Sequence, residues 1–195
     1  MKRPTVIEFS GLPNSGKTTL LQNVKKLCEA NNVNAIIMQE PAELLPTSIP
    51  KGSVQQNLWI TLETLQKTLE VSFISGVDYI LLDRGFYNQL FWARMYEDKD
   101  AEYSKYVANL MKEFGKMFNI VPDYLYVVDV DVDESIRRRM ASGEPVTFSK
   151  KDFLINYKKK FVDFSEEIEN KLYLDTTNLE KDEVASIVFK QIITL

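Results

Sequence analysis

Near the amino end, Gly11-Leu12-Pro13-Asn14-Ser15-Gly16-Lys17-Thr18 sets two glycines five positions apart and follows the second with Lys-Thr. This is the Walker A spacing. Its glycines let backbone N–H groups curl around phosphate oxygens, Lys17 reaches the outer phosphates, and the Thr18 hydroxyl ligates Mg²⁺. The residues expected to hold a nucleotide are therefore Gly11, Asn14, Ser15, Gly16, Lys17, Thr18 and Thr19. An apolar run precedes the segment and a helical pattern follows it, so the positive end of that helix faces the same anion.

Asp83 closes a second apolar run, Tyr79-Ile80-Leu81-Leu82, where a carboxylate can hold Mg²⁺ beside Thr18. Arginine is scarce, with six residues against 18 lysines, yet Arg84 follows Asp83 directly and Arg137, Arg138 and Arg139 stand together. A planar, permanently charged donor stabilises the charge that spreads over a phosphoryl group in transfer. Arg84 with Arg137 or Arg138 is expected in that role. The plainer alternative is a solvated helix face paired with Asp133 and Glu134, and three consecutive arginines cannot share one face. Glu40, at the end of a third apolar run, is a candidate base for an acceptor hydroxyl. Its alternative is an ion pair with a loop lysine such as Lys51.

Composition removes other chemistry. The 195 residues include no histidine and one cysteine, so His-based triads, His-containing zinc sites and internal disulfides are excluded. A single cysteine fits a reducing cytosol. With 24 basic and 28 acidic side chains the net charge is −4, which disfavours non-specific nucleic-acid binding. The basic start, Met1-Lys2-Arg3-Pro4, has no signal-peptide core behind it and no run is long enough to span a membrane, so a cytoplasmic protein is expected.

The elements that must position these residues alternate. Strands are expected at 5–9, 35–38, 79–82, 124–130 and 172–174, with helices at 17–30, from 54, at 86–96, around 103–117, at 133–141, after Ser149 and at 179–194. In the second helix, Val54, Leu58, Leu62, Leu65, Leu69 and Phe73 form the stripe expected to be apolar core, with Gln55, Gln56 and Trp59 on its flank as possible base contacts. Tyr103, Val107, Leu110, Phe114 and Met117 mark a stripe of core or subunit interface. Ser149, three residues before Asp152, reads as a cap for a helix burying Phe153, Tyr157, Phe161, Phe164 and Ile168. Buried strands alternating with helices imply a three-layer α/β fold around a five-stranded parallel sheet, with chemistry at the carboxyl ends of the strands. One domain is expected over residues 1–195, with an arginine-bearing lid at about 137–151. Asp129, Asp131 and Asp133 imitate a calcium loop, but Glu134 stands where that loop needs glycine.

The ordered set of Gly-x₄-Gly-Lys-Thr-Thr, Glu40-Pro41, Asp83-Arg84 and the arginines after the fourth strand resembles the thymidylate kinase and deoxynucleoside kinase group, over nearly the whole chain. The resemblance implies a P-loop kinase fold, ATP and Mg²⁺, a nucleoside or nucleoside-monophosphate acceptor, and a helix-mediated homodimer. The chain departs from both branches. Gln39 stands where thymidylate kinases place an arginine, and Asp83-Arg84-Gly85 replaces the Glu-Arg-Ser of deoxynucleoside kinases. The acceptor is thus open between the two. Two other readings stand beside it: a nucleotide-dependent regulatory switch, and a P-loop kinase for another metabolite or an RNA end. The switch lacks a guanine motif, since Asn170-Lys171-Leu172-Tyr173 has no aspartate at its end.

Overall fold

Five apolar runs become β1 (Thr5–Ser10), β2 (Ala35–Met38), β3 (Tyr79–Asp83), β4 (Tyr124–Asp129) and β5 (Lys171–Asp175) of one parallel sheet, ordered β2-β3-β1-β4-β5. This computed structural model describes residues 3–143 and 148–195, with side chains at 148–150 left out. The middle of the expected lid, 144–147, lies outside the described residues.

The helices are α1 (Lys17–Ala30), α2 (Val54–Val71), α3 (Phe86–Met95), α4 (Ala101–Phe118), α5 (Val132–Ala141), α6 (Phe148–Ser165) and α7 (Lys181–Ile192). Successive strand residues face opposite ways, and both faces of the central strands are covered, so those strands are mainly apolar, with Glu8 the buried charged exception in β1. Ile7, Phe9, Leu81, Tyr126 and Val128 pack against α1 and α7. On the other face Val6, Ile80 and Leu82 lie under α2, while Leu125 and Val127 meet Phe91 of α3 and Tyr157, Phe161 and Phe164 of α6. The result is the expected three-layer α/β P-loop fold. Each strand points its carboxyl end at one edge of the sheet, and loops 10–16, 39–53, 83–85, 130–131 and 176–180 gather there.

Two expectations need correction. The stripe on α2 is not its buried face: Leu62 is 54% exposed and Phe73, beyond the helix, 79%, with Val54 and Leu58 also outward. The buried face is Asn57, Thr61, Thr64, Leu65, Thr68 and Val71. Asn57 and Thr64 of this face line a cavity, while Leu65 and Val71 join the apolar core. On α4 the expected stripe does meet the core: Val107 is buried, Tyr103, Leu110 and Phe114 pack against the cluster of Phe86, Val107 and Met111, and Met117 is exposed. Ser104, Met111 and Gly115 complete the buried row. The expected cap Ser149 falls inside α6, which starts one residue earlier at Phe148. The apparent calcium loop is also ordinary structure: Asp129 takes Lys158, Asp131 caps α5, and Asp133 meets Lys151.

Candidate active site

The loop after β1 is shaped by two glycines in left-handed or related backbone. Gly11 has φ +149, and a Cβ there would lie 2.1 Å from the Val128 carbonyl oxygen, so the loop crosses the end of β4 with no room for a side chain. Gly16, at φ +88, starts α1 without a side-chain cap, and no acidic residue stands in the first turn. The first amides of α1 are therefore open to an external anion. Lys17 curls back over the loop, donating from Nζ to Leu12 O at 2.7 Å, Ser15 Oγ at 3.1 Å and Gly11 O at 3.4 Å. Burial, with Arg84 close by, holds its pKa well below the usual lysine value. The Asn14 side-chain nitrogen is buried with no partner.

Thr18 donates from Oγ1 to Asp83 Oδ2 at 2.6 Å, joining α1 to the end of β3 across 65 residues. The second oxygen, Asp83 Oδ1, is buried and unpartnered. A hydroxyl beside a carboxylate with a spare oxygen is a donor set suited to a hard cation such as Mg²⁺. The residues present fit that ion.

Arg84 adopts left-handed backbone at φ 58, and its N–H donates to Phe9 O at 3.0 Å. Its guanidinium pairs with Glu40, not with an external group, and Glu40 pairs with it rather than with Lys51. The two side chains are 17% and 16% exposed. Burial works against the Arg84 charge, but Glu40 outweighs it and raises the pKa. Arg84 Nε is left buried without a partner. Four orphaned polar atoms, on Asn14, Asp83, Arg84 and Asn88, thus concentrate at the carboxyl edge of the sheet. Among the described residues these atoms keep bonding capacity that a ligand group or a water can complete.

Two cavities open there. One, of about 780 Å³, lies between the 40–53 loop, α2, α3 and α6, with Glu40 and Arg84 in its wall beside Asn57, Asn88, Gln89 and Trp92. The polar face of α2 is built into this wall. Thr61 donates to Asn57 O at 2.8 Å, so its hydroxyl oxygen accepts, and Gln89 Nε2 donates to it at 2.7 Å. Gln89 Nε2 also reaches Asn57 Oδ1, which accepts from the Tyr103 hydroxyl at 2.8 Å. This network fixes the orientation of both amides and leaves Gln89 Oε1 and Asn57 Nδ2 with no partner among the described residues. Trp92, Tyr96 and Phe153 supply an aromatic side to the same cavity. Of the flank residues expected to meet a base, only Gln56 lines it, and its side chain is engaged by the Gly52 amide.

The second cavity, about 660 Å³, takes in Asn14 to Gly16, Thr19, Arg137, Arg138 and the 176–181 loop. The consecutive arginines separate as helical geometry demands. Arg138 turns inward, donating to Thr176 O at 2.8 Å and Ser15 O at 3.3 Å. Arg137 is 70% exposed and lies on Glu134, one turn earlier. Both arginines hold Glu134 down to about 2.

The residues missed in sequence are Asn57, Thr61, Asn88, Gln89 and Glu8. The 57, 61, 64, 68 spacing is a polar helical stripe, and Glu8 is a lone carboxylate in an apolar strand; both signals were there to be read.

No family model matches the chain. Among solved structures, a thymidylate kinase from Candida albicans superposes with a TM-score of 0.71 at 16% identity, covering 98% of this chain and 92% of that one. A deoxyadenosine kinase from M. mycoides, solved with dCMP and dCDP bound, gives 0.72 at 13% identity, covering 98% and 100%. These likenesses show the fold. Among the described residues, no helix is long and apolar enough to cross a membrane.

Proposed function

We propose that this chain is an ATP-dependent kinase that transfers the γ-phosphate to the hydroxyl of a nucleoside, working as one domain over residues 1–195. The observation that carries the reading is the pair of cavities joined by one short chain of contacts. The donor-side cavity opens on Ser15 and Gly16, the acceptor-side cavity on Arg84 and Glu40, and the Thr18–Asp83 bond links the two. The two structural neighbours, a thymidylate kinase and a deoxyadenosine kinase, support it at the level of fold.

ATP binds with its phosphates along the amides of residues 14–19, and Lys17 swings from the loop carbonyls onto them. Arg138 and the Thr176–Asn178 loop bracket the adenine, and Arg137 leaves Glu134 for the phosphates. Thr18 and Asp83 are the residues that would hold Mg²⁺, and that ion would neutralise charge developing on the phosphates. Glu40 orients the acceptor hydroxyl and takes its proton as the oxygen attacks the γ-phosphorus and the bond to ADP breaks. Arg84 keeps Glu40 in place and presents its remaining N–H groups to the transferring phosphoryl.

A nucleoside suits the acceptor cavity better than a monophosphate. The arginine of its inner wall is already neutralised by Glu40, and a second negative group there would meet that carboxylate. The other cations that line the cavity are Lys51, Lys99 and Lys160, the last engaged by Asp98 at 2.9 Å. Gln89 and Asn57 then offer an acceptor and a donor to the edge of a base. The outward Val54, Leu58 and Leu62 of α2 suit a second copy of the chain, giving a homodimer. The test is ADP release from Mg-ATP across a panel of nucleosides and monophosphates, with Lys17→Ala as control. Turnover with nucleosides is expected; turnover with monophosphates alone would remove Glu40 as base, and tight nucleotide binding without any acceptor-dependent turnover would favour the switch.

A further inference from the structure

Glu8 is the one carboxylate in the middle of the central strand, and it is 0% exposed. It lines neither cavity. Its Oε2 accepts from the Tyr87 amide at 2.8 Å, and its Oε1 accepts from the Asn88 amide at 2.7 Å and the Ser10 hydroxyl at 2.9 Å. Tyr87 and Asn88 are the second and third residues of α3, whose N-cap Gly85 has no side chain to satisfy those donors. Gly85 itself leaves little space: a Cβ there would come within 3.2 Å of Glu8 Oε2. A strand carboxylate thus replaces the usual cap.

The geometry gives this bond set a reach beyond α3 itself. Ser10 immediately precedes Gly11, the first residue of the phosphate loop. Asn88 and Gln89 line the acceptor cavity, and Arg84 sits just ahead of the helix start. We infer that Glu8 is a positioning residue for phosphoryl transfer: by sharing one carboxylate between the Ser10 hydroxyl and the first amides of α3, it holds the acceptor wall in register with the donor loop. The inference rests on the kinase reading for its consequence, while the bonding it describes stands independently.

The carboxylate form is required, because both backbone partners donate. Protonation, or replacement by a carboxamide, turns one of the two oxygens into a donor facing an N–H. Burial pushes Glu8 up to about 7, against the pull of the Tyr87 and Asn88 amides, the Ser10 hydroxyl and Arg84. The other titratable groups facing it are Tyr87 on α3 and Tyr157 on α6, both raised by burial and neutral at that pH. The bonding described is therefore that of the form present above about pH 7. Protonation below it removes one acceptor oxygen and changes the register of the acceptor wall without destabilising the fold, because a carboxyl raised by burial is favoured in its protonated form.

Three readouts test this on the full chain. Amide hydrogen exchange by NMR on Glu8→Gln should quicken at Tyr87 or Asn88 by about tenfold or more, with β1 and α1 amides unchanged. With deoxyadenosine and deoxycytidine as acceptor probes, Glu8→Gln should raise the acceptor KM and lower kcat, while the dissociation constant of Mg-AMPPNP stays within about twofold. The unsubstituted protein should show a fall in kcat/KM as pH drops through about 7, and Glu8→Gln should lack that step. If Glu8→Gln does not fold, Ser10→Ala keeps the carboxylate but removes a donor that lowers its pKa, and should move the limb to higher pH. Unchanged exchange at both amides overturns the inference, as does a Glu8→Gln variant whose acceptor KM and nucleotide affinity worsen together. If neither nucleoside is turned over by the unsubstituted protein, the kinase reading has failed, and the exchange arm alone decides the role of Glu8.

Discussion

Removing Glu40 separates its pairing with Arg84 from the base role proposed for it. In Glu40→Ala the Arg84 guanidinium, 17% exposed, loses its counter-ion while remaining enclosed by the 40–53 loop and α3. Breaking a buried pair by deleting one partner costs about 3–5 kcal/mol, because the survivor keeps its charge without compensation. For a chain of this length that corresponds to a fall in Tm of roughly 6–20 °C. Glu40→Gln keeps an oxygen for the Arg84 N–H group and should lose clearly less. If Glu40 also takes the proton of the acceptor hydroxyl, both variants lose catalysis alike, with kcat down by about 10²–10⁴ even where Glu40→Gln is nearly as stable as the parent. Differential scanning calorimetry and steady-state ADP release, run on the same preparations, give the two numbers side by side. Glu40→Gln with parental kcat would refute the base role and leave Glu40 only as the anchor of Arg84. Equal Tm values for Glu40→Ala and the parent would refute the buried-pair argument.

Three further outcomes follow from the same geometry. Asp83→Asn removes a carboxylate from the Thr18 pair and should raise the Mg²⁺ concentration needed for half-maximal turnover by about tenfold or more, measured by Mg²⁺ titration at fixed ATP. Gly11→Ala places a methyl 2.1 Å from Val128 O, so the loop must shift; ATP affinity measured by calorimetry should fall sharply, with Tm lowered as well. Leu62→Glu puts a charge on the outward face of α2 and should convert a dimer to monomer in sedimentation analysis with little change in Tm, since that side chain is 54% exposed.

Much of the fold was legible because strands covered on both faces are continuous apolar runs, and the phosphate loop is a contiguous motif. Thr5–Ser10, Ala35–Met38 and Tyr79–Asp83 were bounded within a residue or so for that reason. The helix α2 was legible from its apolar stripe, but its buried face was not. Its sequence carries an apolar face and a polar face, and hydrophobicity alone assigns the apolar one to the core. Here Asn57 and Thr64 face inward onto a ligand-sized cavity, Thr61 is held by Asn57 and Gln89, and Leu58 and Leu62 face out. Pairings across long sequence separations were equally hidden: Arg84 with Glu40, Gln89 with Asn57, and Glu8 with the start of α3 depend on which strands become neighbours. The Thr18–Asp83 contact was foreseeable only because the Walker A motif says what must stand opposite it.

The central claim is that the cluster of Lys17, Thr18, Asp83, Arg84 and Glu40 passes a phosphoryl group between the two cavities. The most direct measurement follows the label from [γ-³²P]ATP in the presence of Mg²⁺ and a nucleoside, separating products by chromatography. Label on the nucleoside, lost in Lys17→Ala, is the predicted result. Label that goes only to inorganic phosphate, or stays on ATP while the protein binds nucleotide tightly, would contradict the account.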